Sequence, residues 1–173
     1  MQRWLSKGIL AAMIGLPALS GAAWAGGTDD FGCSNATLKG EYAFGVTVYT
    51  PAPPPSPPPA TVVVTGIKVF DGRGNLTQRD YRGDNLAGDD FSPPGQETGT
   101  YKVNSDCTGS MVVNLNVPHV PAGLSSGEIW IKFVISDGGR HIHEVVSQLI
   151  PPFQSAPVPT QTSADDWKVS SGD

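Results

Sequence analysis

Apolar and polar positions alternate with a period of two over most of this chain. Tyr42, Phe44, Val46 and Val48 are interleaved with Glu41, Ala43, Gly45 and Thr47, the spacing of a strand with one buried face rather than of a helix. Val63, Ile67 and Val69 mark a second strand, which stops at the turn cluster Asp71-Gly72-Arg73-Gly74-Asn75 and leads into Leu76 to Arg82. That pair reads as a hairpin. Further strands are expected at Thr100 to Asn104, Ser110 to Val117, Glu128 to Ser136 and His141 to Ile150, with a short last one around Trp167 to Ser170. Seven or eight antiparallel strands with no amphipathic helix among them predict an all-β fold, either an up-and-down barrel or a sandwich. The barrel is preferred, because closure removes the edges that such strands otherwise expose.

Three stretches break this rhythm. Arg3 and Lys7, the apolar run around Ile9 to Leu19 and the small-x-small site Ala23-Trp24-Ala25 follow the order of a signal peptide over residues 1–25. A single domain over 26–173 is then expected, in the periplasm or secreted. Pro51 to Pro59 is a polyproline II segment of nearly 30 Å at about 3.1 Å per residue. It suits a rigid connector at a rim of the barrel better than a ligand for proline-recognition domains. Pro151 to Ser163, rich in Pro, Gln, Ser and Thr, reads as a linker before the last strand.

Composition narrows the partners. Losing Arg3 and Lys7 with the leader takes the 11 basic residues to 9 against 16 acidic ones, a net charge of −7, which disfavours nucleic acid and anionic lipid. No segment after the leader approaches about 18 unbroken apolar residues, so membrane insertion is not expected. Nothing in the sequence sets an oligomeric state.

In an exported chain the two cysteines, Cys33 and Cys107, are expected to form a disulfide, the alternative being two buried thiols. Closing so long a loop stabilises by about 4 kcal/mol in the chain-entropy model. Neither has a histidine or another cysteine at ligand spacing.

Cys33-Ser-Asn-Ala-Thr-Leu38-Lys-Gly40-Glu-Tyr42, Phe70-Asp71-Gly72-Arg73-Gly74-Asn75, Gly99-Thr100-Tyr101-Lys-Val103 and Asp106-Cys107-Thr108-Gly109 together resemble a group of exported bacterial proteins of unassigned function. The resemblance covers most of the chain after the leader. It implies a compact barrel similar in outline to calycins and to allene oxide cyclase, with the two cysteines bridged. The Pro-rich run departs from it, since a shorter connection is expected there.

Candidate chemistry centres on the hairpin Glu128 to Ile150, whose apex is Asp137-Gly138-Gly139. Ile129, Ile131, Phe133 and Ile135 share one face and should look inward. A two- or four-residue loop pairs odd positions before the turn with even positions after it, so Ile142, Glu144, Val146, Gln148 and Ile150 should look inward too. The expected ligand set is Ile131, Phe133, Ile142, Glu144, Val146 and Gln148. Burial disfavours a charged carboxyl, so a lumenal Glu144 should have a raised pKa and is the candidate catalytic proton donor or ligand anchor. Alternatives are a bulge that turns it outward, or a place at the barrel mouth where water reaches it.

A three-residue loop would instead turn His141 and His143 inward at metal-compatible spacing. With no third ligand identifiable, no metal site is expected. Asp71, Arg73 and Asn75 do not make a calcium loop, since Arg73 puts a cation where a ligand is needed. No nucleophile elbow supports a Ser-His-Asp triad.

The resulting expectation is a small hydrophobic molecule bound in the lumen, without a cofactor. An isomerase or cyclase that uses Glu144, and a filled barrel with a structural or interaction role, are the alternatives.

Overall fold

Eight strands close into an antiparallel up-and-down barrel: β1 (Gly40–Thr50), β2 (Ala60–Phe70), β3 (Asn75–Arg82), β4 (Glu97–Val103), β5 (Thr108–Asn114), β6 (Glu128–Ser136), β7 (His141–Ile150) and β8 (Gln161–Ser170). Each pairs with its neighbours in sequence, and β8 returns to β1. This computed structural model describes residues 32–50, 60–83 and 90–171, all within one compact unit, Phe31–Asp173. The expected leader and the Pro-rich run 51–59 lie outside the described residues. Among those described, no helix is long and apolar enough to cross a membrane.

The expected strands are present, with three shifts. β4 starts at Glu97 rather than Thr100, and β5 ends at Asn114 rather than Val117. β8 is ten residues long instead of a short terminal piece, so the linker expected up to Ser163 stops at Thr160. The backbone of this polar strand is held by its partners, with β1 pairing from Tyr49↔Gln161 to Glu41↔Ser170. Tertiary pairing outweighs its weak β propensity.

The two ends of the barrel differ. At one end the connections are short: 71–74, 104–107 and 137–140. Asp71 builds the first, its Oδ1 accepting from the backbone N–H groups of Arg73, Gly74 and Asn75 at 2.7 to 3.0 Å. These bonds, with one from the Asn75 side chain, hold its carboxyl down at about 2. It is a turn, as its sequence suggests.

This end is sealed. A 3₁₀ turn at Asn35–Leu38 lies across it and buries Leu38 completely. Asn35 is fixed on both sides, its carbonyl accepting from the Tyr101 hydroxyl at 3.0 Å and its Oδ1 from the Val103 N–H at 2.8 Å. Disulfide Cys33–Cys107 ties the segment before that turn to the β4–β5 connection. Inside, Phe70 packs edge-on against Tyr42 and Tyr101, with ring centroids 5.3 and 5.0 Å away, a geometry that favours the aromatic quadrupoles. Tyr42 donates its hydroxyl to the Gly139 carbonyl in the β6–β7 turn. Met111, Val113, Ile135 and Ile142 complete this core.

Candidate functional site

The other end is hollow. Its connections are the long ones in sequence, joining β1 to β2, β3 to β4, β5 to β6 and β7 to β8, and between the strands at this end lies a cavity of about 570 Å³. Beside Phe44 and several polar side chains, Val46, Val48, Val62, Val64, Leu115, Ile129, Ile131, Val146 and Leu149 form an aliphatic part of its wall. These inward positions carry aliphatic side chains where the sealed end carries rings.

Lys68, Glu144 and Asp166 meet where the cavity gives way to the packed core. Lys68 Nζ lies 2.5 Å from Glu144 Oε2 and 2.9 Å from Asp166 Oδ2. The three residues are 2%, 5% and 0% exposed. The strand period dictates the meeting: Lys68 shares the inward parity of Val64 and Phe70 on β2, Glu144 that of Ile142 on β7, and Asp166 that of Ala164 on β8. Glu144 pairs with Ala164 and Ile142 with Asp166 across the β7–β8 seam, which puts the two carboxyls on diagonal neighbours.

The Phe44 ring lies below Lys68 Nζ, 4.6 Å from its centroid, a cation–π contact away from water. Gly66 makes room for that ring. A Cβ at Gly66 would lie 2.7 Å from Phe44 Cε1 and 2.1 Å from the Arg79 carbonyl oxygen.

Burial sets the protonation of this trio. It pushes the Glu144 carboxyl up to about 8, against the attraction of Lys68 and with the help of Asp166. Burial alone would pull the Lys68 ammonium down, but the two carboxyls hold it above its usual range. With a proton on Glu144, the group carries one ammonium against one carboxylate, which limits the cost of burying charge. Among the described residues, neither Glu144 Oε1 nor Asp166 Oδ1 has a hydrogen-bond partner.

A second polar group lies on the wall. Gln78 Nε2 donates to Glu97 Oε2 at 3.0 Å and to Asp80 Oδ2 at 3.2 Å. Burial, with the nearby Asp80, raises the Glu97 carboxyl to about 7. Here β3 and β4 part company, since their pairing ends at Gln78↔Glu97. Ser92 fills the gap, its Oγ accepting from the Asp80 N–H at 3.0 Å and its N–H donating to the Asp80 carbonyl at 2.8 Å.

Among the expected ligand residues, Ile131, Glu144 and Val146 line the cavity. The turn parity behind them is right: Ser136 pairs with His141 across a four-residue connection, and Phe133 with Glu144. Phe133 and Ile142 are inward but belong to the packed core rather than the cavity wall. Gln148 is corrected to the outer face. A bulge between Trp130 and Ile131 makes Ser147 an extra residue, so Gln148 pairs with outward Trp130 and Leu149 takes the inner position opposite Ile129. His141 and His143 lie on the outer face, as the four-residue connection requires.

The sequence reading missed Lys68, Asp166, Gln78, Asp80 and Glu97. Two signals could have found the first pair. Lys68 sits between Gly66 and Phe70 on one parity, and the neighbours Asp165 and Asp166 must look to opposite faces of any strand.

No family model matches the chain, and no curated protein matches it.

Proposed function

We propose that this protein binds a small, largely apolar molecule inside the barrel, with a hydroxyl or amino group of that molecule turned toward Glu144 and the polar groups beside it. The hollow end carries this reading: a cavity of about 570 Å³ is within the usual range for small-molecule sites, which combine apolar walls with a few placed polar groups. A barrel of eight strands is just wide enough for side chains to fill it or for one small ligand to be held. At the sealed end side chains fill it; at the open end valines leave the space.

The polar anchor favours a hydroxyl or amino group, since each can both donate and accept a hydrogen bond. Glu144 lines the cavity, its Oε1 has no hydrogen-bond partner among the described residues, and a buried polar oxygen left without one costs about 1–3 kcal/mol. A hydroxyl or amino group on an otherwise apolar ligand would recover that cost. An exported setting fits the same reading, since disulfide Cys33–Cys107 persists in oxidising compartments.

Native mass spectrometry of protein purified from its own host, followed by extraction into organic solvent, tests the reading. A retained apolar compound with a hydroxyl or amino group is the expected result. Protein that carries no adduct and takes up no apolar compound from a lipid extract would overturn it.

A further inference from the structure

The outer wall of the barrel carries a second constellation, independent of the cavity. His141 and His143, two apart on β7, point out on the same side, and β8 places Asp165 directly opposite His143. Asp165 Oδ1 lies 2.9 Å from His141 Nε2 and 2.8 Å from His143 Nδ1. Two imidazole nitrogens and one carboxylate oxygen therefore converge, all within 4.8 Å of one another. Ligand atoms around a tetrahedral ion with bonds of about 2.0–2.1 Å are themselves roughly 3.4 Å apart. Small side-chain rotations would admit an ion here without moving the sheet.

Both rings are held from behind. Trp167, opposite His141 on β8, stacks on its imidazole at 3.7 Å and 13°. Ser136 Oγ lies 3.4 Å from His143 Nε2. A proton on Nε2, shared with that hydroxyl, leaves the Nδ1 lone pair facing Asp165, the support that metal-binding histidines usually receive from a neighbouring group. Three protein ligands also leave part of the coordination sphere open. That opening meets an outer groove lined by Ser110, Lys132, Val145 and Ser163 as well as His143 and Asp165.

We propose that His141, His143 and Asp165 form a divalent transition-metal site on the barrel wall, with zinc the ion that best suits two imidazoles and a carboxylate. Magnesium and calcium fit poorly, since both prefer all-oxygen shells. Without a third ligand, the two histidines alone supported no site in the sequence. β8 supplies it from 22 residues further along the chain.

Isothermal titration of untagged, metal-stripped protein with zinc chloride near pH 7.5, in a buffer that does not bind metals, is the test. One zinc per chain at micromolar or tighter affinity is expected, weakened at least tenfold in His143→Ala and in Asp165→Asn. Both side chains are exposed, so these variants should fold, which circular dichroism and thermal unfolding would verify. Cobalt(II) should give visible absorption bands of four- or five-coordination that are lost in both variants. Absence of zinc binding at 100 µM, or binding that both folded variants retain in full, would overturn the site.

Discussion

The sealed and hollow ends of the barrel are built by the same eight strands, and what separates them is the size of the inward side chains and the length of the connections. Toward the sealed end the inward positions are Tyr42, Phe70, Leu76, Tyr101, Met111 and Ile142, and short turns keep the strands close. Toward the hollow end they include Val46, Val48, Val62, Val64 and Val146, and the connections are longer in sequence. Strand parity, with its bulges, settles which residues are inside, but side-chain volume settles whether the inside is full. The polar trio sits at the boundary, where it borders on ligand space and still has a rigid core behind it.

Perturbations should respond to that division. Lys68→Met is expected to have the largest effect, because it leaves buried Asp166 and Glu144 without their cation, at a cost of about 3–5 kcal/mol in urea unfolding. Apolar replacement of all three residues together should recover most of the loss. Replacing both Cys33 and Cys107 with serine should cost about 4 kcal/mol in the chain-entropy model, read from the same transition. Met111→Ala at the sealed end should cost about 2–5 kcal/mol through the void it creates. Ile129→Ala, which only enlarges an existing cavity, should stay below about 1.5 kcal/mol, so equal losses at the two sites would contradict the contrast between the ends.

A pH-dependent effect concerns Glu97. Its carboxyl titrates near 7 in the folded state against an ordinary value of 4.5, so between these pH values the folded protein holds more protons than the unfolded chain. Its contribution to stability is therefore present below about pH 4.5 and is lost as pH rises through about 7, by about 3 kcal/mol. Glu97→Gln should reduce the slope over this range, leaving the part due to Glu144. A stability profile between pH 4.5 and 7 unchanged by the substitution would show that this carboxyl is not desolvated in the folded protein.

Much of the fold was legible in the sequence because a sheet buried on one face writes its orientation into every second residue. β1 and β6 are unambiguous in this respect. β2 is not: Thr61 to Val69 has β-branched or aliphatic residues on both parities, and Val63, Ile67 and Val69, the residues that announce the strand, are exposed on the outside. Lys68 was hidden by that ambiguity. Glu144 was found because a short turn carries the parity of β6 across to β7. The same inference failed for Gln148, since a bulge has no signature in this stretch of sequence. β8 is too polar to declare itself, and with it Asp165 and Asp166 went unplaced. Glu97 was left in a loop because the apolar alternation of its strand begins only at Tyr101.

The central claim, that the valine-lined end holds an apolar ligand, is best tested by fluorescence titration with N-phenyl-1-naphthylamine, a neutral apolar probe with one N–H group. Val64 and Val63 are adjacent on β2, the first lining the cavity and the second 57% exposed on the outer face. The account predicts saturable binding of one probe per chain, lost or weakened at least tenfold in Val64→Phe and unchanged in Val63→Phe. Equal binding by the two variants, or no saturable binding by the parent protein, would contradict it.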